Sequence, residues 1–142
     1  MGKEISFCPF RRSQMESVVE ILQEISVYHP DLKDHDQIWN SFAAQENVSS
    51  LVALRGESEV VGFGALVVET KIRGGRLGHI EDVVIHPDYQ GLGLGRAMVA
   101  ELISVAEFEG CYKVALNCGV QNVAFYEKAG LLNNGAAMQR LL

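Results

Sequence analysis

The sequence predicts a mixed α/β domain whose elements run β-α-α-β-β-β-α-β-α-β. Three observations predict it. Short apolar runs alternate with segments whose apolar residues recur every three or four positions. Glycine or proline punctuates most junctions. The length of 142 residues, with 48% hydrophobic and 21% charged residues, suits one folded domain over 1–142 rather than two domains or a disordered chain.

The elements follow in order. Residues 4–10, Glu-Ile-Ser-Phe-Cys-Pro-Phe, predict a first strand. Residues 14–26 carry Met15, Val18, Val19, Leu22 and Ile25 at helical spacing, with Ser13 as the expected N-cap. Residues 35–46 predict a weaker second helix with Trp39 and Phe42 on its buried edge. Residues 51–55, the turn 56–59 and residues 60–72 predict a strand, a tight turn and a strand. After Gly74 and Gly75 comes a strand over 77–86. Residues 95–110 predict a helix with an apolar stripe of Ala97, Met98, Leu102, Val105 and Ala106, closed by Gly110. A strand over 111–118, a short helix over 120–130 capped by Gly130, and a last strand over 136–142 complete the chain. An edge at that last strand offers a place for a second copy to pair.

Composition removes several functions. A net charge of −6 argues against a general nucleic-acid-binding face. No apolar run approaches the ~18 residues of a membrane span. Cys8, Cys111 and Cys118 are odd in number and unpaired in spacing, so they predict free thiols in a reducing compartment, with neither disulfide framework nor metal site. The first ten residues lack a signal-peptide stretch, and Gly2 begins no clean myristoylation match. The ending Met-Gln-Arg-Leu-Leu departs from the Ser-Lys-Leu peroxisomal address. Cytoplasm is the default, with import into a peroxisome-like organelle left open.

The chemistry begins at Gln90-Gly91-Leu92-Gly93-Leu94-Gly95-Arg96. Glycine carries an entropic cost wherever bare backbone is not needed. Three alternate glycines between a strand and a helix make an anion site, because the first N–H groups of a helix lack intrahelical partners and sit at the positive end of its dipole. Arg96 adds a fixed positive charge. The expected ligand is a phosphate or pyrophosphate. The P-loop pattern fails for want of Gly-Lys-Ser/Thr, and the dinucleotide pattern fails because the spacing is GxGxG.

Gln90–Gly95 resembles the Q/R-x-x-G-x-G/A signature of the GCN5-related (GNAT) N-acetyltransferases, and Asn122 to Gly130 is similar to the Asn-x-x-x-Phe-Tyr-x-x-x-Gly element of that family. The runs His79-Ile80-Glu81-Asp82-Val83 and Cys111-Tyr112-Lys113 look like the glucosamine-6-phosphate N-acetyltransferases within it. The close likeness covers about 78–138; before Lys71 it is mainly one of element order. The resemblance implies a mixed, mostly antiparallel central sheet flanked by helices. It also implies acetyl transfer from acetyl-CoA to the amine of glucosamine 6-phosphate in a ternary complex, without a metal, in a homodimer serving UDP-N-acetylglucosamine biosynthesis.

The same resemblance assigns roles. Gln90, Gly91, Leu92, Gly93, Leu94, Gly95 and Arg96 clamp the pyrophosphate. Val83, Val84 and Ile85 bind the pantetheine arm through their backbone, as an added strand does, and Asn117 and Asn122 complete the coenzyme site. Tyr126 attends the leaving thiolate. Its reference pKa of ~10 against ~8.5 for a thiol makes full proton transfer uphill by about 2 kcal/mol, so hydrogen bonding to the thiolate is the sounder role. Glu81 relays the amine proton or binds a sugar hydroxyl. Adjacent strand residues face opposite sides, so either Glu81 or Asp82 is expected to carry a desolvation cost unless partnered. Ser26, Lys71, Asp82, Val83, Tyr112 and Lys113 are the other substrate candidates; Arg73, Arg76 and His79 are further ones without residue-by-residue likeness. His86, before Pro87, reads as a turn residue, and Cys118 as a buried thiol outside the chemistry.

There are departures. Asn117, a catalytic as well as a coenzyme candidate, stands where relatives usually carry Asp or Glu: a role of the backbone carbonyl is preserved, whereas a role of a negative side chain would slow the protein or pass to Glu81. Arg140 falls one position early for an arginine on the sugar phosphate, which reverses its face on a strand. The loop 71–76 is short. Two alternatives stay open: an enzyme of the same fold for another amine (peptide, polyamine or aminoglycoside), and a non-catalytic acyl-CoA-binding domain.

Overall fold

The protein is described by a computed structural model covering residues 3–142; Gly2 lies outside the described residues. Its strands are β1 (Ile5–Pro9), β2 (Val48–Arg55), β3 (Glu59–Thr70), β4 (Arg76–Ile85) and β5 (Lys113–Ala115). They form one sheet in the order β1-β2-β3-β4-β5, antiparallel except for the parallel β4–β5 pair. The helices are α1 (Met15–Leu22), α2 (His35–Ala43), α3 (Leu94–Phe108) and α4 (Val123–Lys128).

Both faces of the sheet are buried. Leu66, Val68 and Ile80 pack with Met98, Val99, Leu102 and Ala106 of α3. Phe63, Ala65 and Val84 pack with Val18 and Ile21 of α1. Met98 and Leu102 are fully buried, each contributing about 1.5–3 kcal/mol by removal from water. The run of apolar residues in β3, buried from Val60 to Leu66, follows from coverage on both faces.

Two bulges shape the sheet. One lies between Ala53 and Leu54, where the β2–β3 register shifts. The other falls where Phe63 pairs with Val84 but Ala65 pairs with Glu81, leaving an extra residue in β4. Asp82 takes up the slack with φ +54, a left-handed conformation that Asp tolerates better than most residues. The bulge reverses the side-chain alternation: Ile80 before it packs towards α3, and Val84 after it packs towards α1.

Several expectations need correction. Ser13 does not cap α1; it sits inside a 3-10 turn, Arg12–Gln14, whose N-cap is Arg11. The helix stops at Leu22 because the Gln23 amide donates to the carbonyls of Val19 and Tyr28 and accepts from the Tyr28 N–H. Ile25 is therefore exposed, and Ile21 is buried in its stead. Trp39 and Phe42 are half-buried around Phe10, whose ring meets both edge-on. The expected strand over 111–118 forms only at 113–115. The expected last strand is absent: residues 136–142 have no strand neighbour among the described residues and are exposed. The caps at Gly110 and Gly130 are present, with φ +77 and +93.

Candidate active site

Strand β4 pairs with β5 only at Leu77–Lys113, Gly78–Val114 and His79–Ala115. Beyond His79 the chain after β5 departs into a loop, while β4 continues to Ile85. Residues 80–85 thus keep β3 on one side and no strand on the other, among the described residues. Apart from the Ile85 carbonyl, which accepts from the Gln90 side chain, their backbone groups on the open side can pair with an extended ligand. Val83 is half-buried against the α3 side of the core, and Val84 and Ile85 are buried. Backbone recognition at this edge is compatible with those burials.

The strand leads through a 3-10 turn, Pro87–Tyr89, into the glycine loop. Gly91 and Gly93 have φ +79 and +85, and an added Cβ at either would meet open space. These two glycines are therefore conformational, and the surface above them is accessible. Gly95 does a different job: a Cβ there would come within 3.1 Å of the Phe125 ring, so its bareness lets α4 approach α3. Gly93 is the N-cap of the 15-residue α3 and no side chain caps it. The first amides of the helix are left for an anion. The Gln90 side chain donates to the Ile85 carbonyl at 3.0 Å, which fixes the loop to the end of β4. Leu94 packs on the core, while Leu92 and the Arg96 side chain are exposed.

On α4, Tyr126 is half-buried and packs against the same core cluster as Val83 and Leu116. Its ring meets Phe125 edge-on at 4.9 Å. The phenol has no hydrogen-bond partner among the described residues. Burial, then the neighbouring Cys118, pushes its pKa above the ordinary value of 10.0. Cys118 is half-buried rather than buried, and all three cysteines are free thiols. Asn117 and Asn122 are exposed on the loop and turn between β5 and α4.

Glu81 and Asp82 are both exposed and lack side-chain partners among the described residues. The expected desolvation cost is thus corrected, since the bulge and the early end of β5 open this part of β4 to solvent. His86 is indeed a turn residue: its Nδ1 accepts from the Asp88 N–H.

The cations gather at the opposite end of β4. Lys113 pairs in register with Leu77, four residues before Glu81, or about 13 Å along the strand. Its ammonium lies 5.6 Å from the Tyr112 ring centroid. Lys71 is ion-paired with Glu69 at 2.6 Å, and the same carboxylate oxygen lies 3.4 Å from His79 Nε2. Lys71, first, and His79 hold the Glu69 carboxyl below its ordinary pKa. Arg76 is engaged elsewhere, with its guanidinium on the Glu109 carbonyl and carboxylate. Arg73 is exposed in the hairpin turn, Arg140 in the C-terminal segment, and Ser26 in the segment after α1. The structure brings Lys71, Tyr112 and Lys113 to one end of the sheet and does not bring Ser26 or Arg140 into contact with them.

One buried group escapes the sequence reading. His35 is 2% exposed, and neither ring nitrogen has a hydrogen bond; Nδ1 stands 3.5 Å from the Glu16 carboxylate. A lone histidine at the start of a weakly apolar helix carries no sequence signal for this. No group of three or more His, Cys, Asp or Glu side chains among the described residues is arranged to hold a metal ion. No helix among them is long and apolar enough to cross a membrane.

A half-free strand thus leads through a glycine loop into a helix with no side-chain cap, and Tyr126 packs on the same core. Residues 15–131 match the profile of the Acetyltransferase (GNAT) family, so the chain belongs to that family. Within it, the chain is similar to the glucosamine 6-phosphate N-acetyltransferase of Trypanosoma brucei brucei, at 47% identity over 73 residues, 50% of each chain. The match thus spans half the length of that relative. It is similar also to the glucosamine 6-phosphate N-acetyltransferase of Candida albicans, at 36% over 109 residues, 75% of this chain and 73% of the relative. The crystal structure of the glucosamine-6-phosphate N-acetyltransferase from Arabidopsis thaliana superposes with a TM-score of 0.87 at 27% identity, covering 98% of this chain and 99% of that one.

Proposed function

We propose that residues 1–142 act as one catalytic domain that transfers the acetyl group of acetyl-CoA to the amine of D-glucosamine 6-phosphate. The observation that carries this reading is the layout of β4. An anion loop lies at one end, lysines at the other, and a bulged, solvent-open Glu81–Asp82 pair between them. A donor with a pyrophosphate and an acceptor with a phosphate fit such a strand from opposite ends. The identities of 36–47% to enzymes of that name support the same acceptor.

Bound acetyl-CoA supplies an activated acyl group as a thioester. The residues do the rest. The amides after Gly93, with Arg96, hold the pyrophosphate. The open edge of β4 at 83–85 aligns the pantetheine arm, and one of its N–H groups faces the developing oxyanion. Glu81, exposed and unpaired, takes the amine proton directly or through water. The Tyr126 phenol donates a hydrogen bond to the departing sulfur. Its raised pKa suits a donor that keeps its proton, which makes hydrogen bonding rather than full transfer the consistent role. Asn117 contributes its backbone carbonyl, and Asn122 borders the coenzyme. Lys113, Tyr112 and Lys71 meet the sugar phosphate, with Asp82 on the sugar. Lys71 must then exchange Glu69 for phosphate.

We further read the C-terminal segment as a contact with a second copy. Leu132, Met138, Leu141 and Leu142 are nearly fully exposed in the single chain, and β5 is a three-residue edge. A homodimer with the product feeding UDP-N-acetylglucosamine synthesis in the cytoplasm is the reading that joins these features. Mass spectrometry of the sugar after incubation with acetyl-CoA tests the activity; a product carrying one added acetyl group supports it, and unchanged sugar rejects it. The Glu69–Lys71 ion pair favours one second reading, an acceptor amine without a phosphate, because that cation is already engaged.

A further inference from the structure

Glu69, near the end of β3, has two basic neighbours. Its Oε1 lies 2.6 Å from Lys71 Nζ and 3.4 Å from His79 Nε2. The register explains the meeting. Val67 lies opposite His79 and Glu69 opposite Leu77 across β3–β4. Across β4–β5, Leu77 lies opposite Lys113 and His79 opposite Ala115. Opposite residues share a face of the sheet, and so do alternate residues along a strand. Glu69, His79, Glu81 and Lys113 therefore stand on one face. It is the α1 face, because Ala65, opposite Glu81, packs with Val18 and Ile21. The Lys71 backbone is pinned in the hairpin, its N–H donating to the Gly75 carbonyl and its carbonyl accepting from the Gly74 N–H. Any exchange of partners by Lys71 is left to its flexible side chain.

We infer that His79 is a positioning residue that replaces Lys71 on Glu69 when an acceptor phosphate draws Lys71 away, taking up a proton from solvent as it does so. This rests on the 6-phosphate reading above and gives Glu69 and His79 a part in it. Without acceptor, Lys71 neutralises Glu69, and an imidazolium gains little from a carboxylate already paired. Once the ammonium turns to a phosphate, Glu69 is left as a bare charge of the same sign beside that phosphate, which opposes binding. The His79 imidazole is already within reach. Protonated, it donates to Glu69 and cancels the exposed charge. Lys71 holds the Glu69 carboxyl below its ordinary value, and Glu69 holds the Lys71 ammonium above its own, so both stay charged at neutral pH and His79 is the member that titrates. The other charges on this face are Lys113, which opposes the imidazolium, and Glu81, which favours it. Acceptor affinity therefore rises as pH falls through the neutral range, until the phosphate itself takes a proton near its second pKa of ~6.

Isothermal titration with glucosamine 6-phosphate, with coenzyme A present and in buffers of different ionisation enthalpy, counts the protons exchanged. Wild type is compared with His79→Arg, which carries a permanent charge, and with His79→Gln, which carries none. The ligand's own titrating groups are common to all three proteins, so the differences isolate position 79. Wild type should take up about half a proton more than His79→Arg at pH 7.5, and its affinity should fall about three- to sixfold more between pH 7 and 8.5. His79→Arg should keep the tighter affinity at both pH values, and His79→Gln the weaker one. Proton exchange and pH dependence that are the same in all three proteins overturn the role of His79 and leave the 6-phosphate reading standing. So does an Arg variant that binds no better than the Gln variant. A wild-type protein that does not bind glucosamine 6-phosphate overturns both.

Discussion

The phenol of Tyr89 donates to the Glu59 carboxylate at 2.9 Å, tying the β2–β3 turn to the segment that enters the glycine loop. Arg55 completes the clasp, with Nη1 2.9 Å from Glu59 and its guanidinium carbon 5.7 Å from the Tyr89 ring centroid. Gln90 follows immediately and anchors on Ile85. Tyr89→Phe keeps the ring and removes the donor. The KM for acetyl-CoA should rise two- to fivefold with kcat nearly unchanged, because an exposed contact is weak and acts only through the loop. Steady-state kinetics at saturating acceptor check it.

Gly93→Ala tests the need for bare backbone. A Cβ at φ +85 costs about 1–2 kcal/mol of stability, measurable by urea unfolding. Coenzyme affinity falls by more than tenfold, since the helix entrance must shift. Gly95→Ala retains ordinary backbone but presses on Phe125, so its effect is on the α3–α4 spacing.

On the proposed mechanism, Tyr126→Phe lowers kcat by ten- to a hundredfold with little change in the KM for acetyl-CoA, because the hydroxyl would act when the sulfur leaves. The sign of the pH effect follows from the raised pKa. The neutral phenol persists through the ordinary tyrosine value of 10.0, and any stability linked to its protonated form is lost only as pH rises through the higher folded value. Loss of kcat between pH 8 and about 9.5 that disappears in Tyr126→Phe would contradict this.

Acid titration probes the other side. The Glu16, Glu59 and Glu69 carboxyls lie below their ordinary value of 4.5, held first by Arg12, Arg55 and Lys71 respectively. Their contribution to stability is present above that value and is lost as pH falls through the lower folded values. Arg12→Met removes the partner of Glu16 and of Asp36. Its unfolding midpoint should differ from wild type at pH 6 and converge with it near pH 2.5, as followed by circular dichroism.

How much of this is legible in the sequence depends on whether the physics leaves a compositional trace. The glycine loop does, because positive φ at Gly91 and Gly93 selects one residue type. The β2–β3 hairpin and α3 do, through their turn residues and apolar period. The bulge does not: Asp82 in a left-handed conformation is spelled like any solvent-facing aspartate. Without it the opposed-face rule applied to Glu81 and Asp82 gives a burial that does not occur. The paired state of Lys71 is likewise invisible, because Glu69 meets it across the bend at the end of β3. Residues 136–142 read as a strand because their pattern suits one, but strand formation needs a neighbour and the described residues offer none.

The central claim is transfer of acetyl to an amine on a 6-phosphorylated sugar. The most direct measurement is thiol release from acetyl-CoA with glucosamine 6-phosphate, run beside glucosamine, glucosamine 1-phosphate, spermidine and a lysine peptide. Release with glucosamine 6-phosphate should be at least a hundredfold faster in kcat/KM than with glucosamine, with most of that difference lost in Lys113→Ala. Equal rates with glucosamine, or release only with spermidine or the peptide, would contradict it.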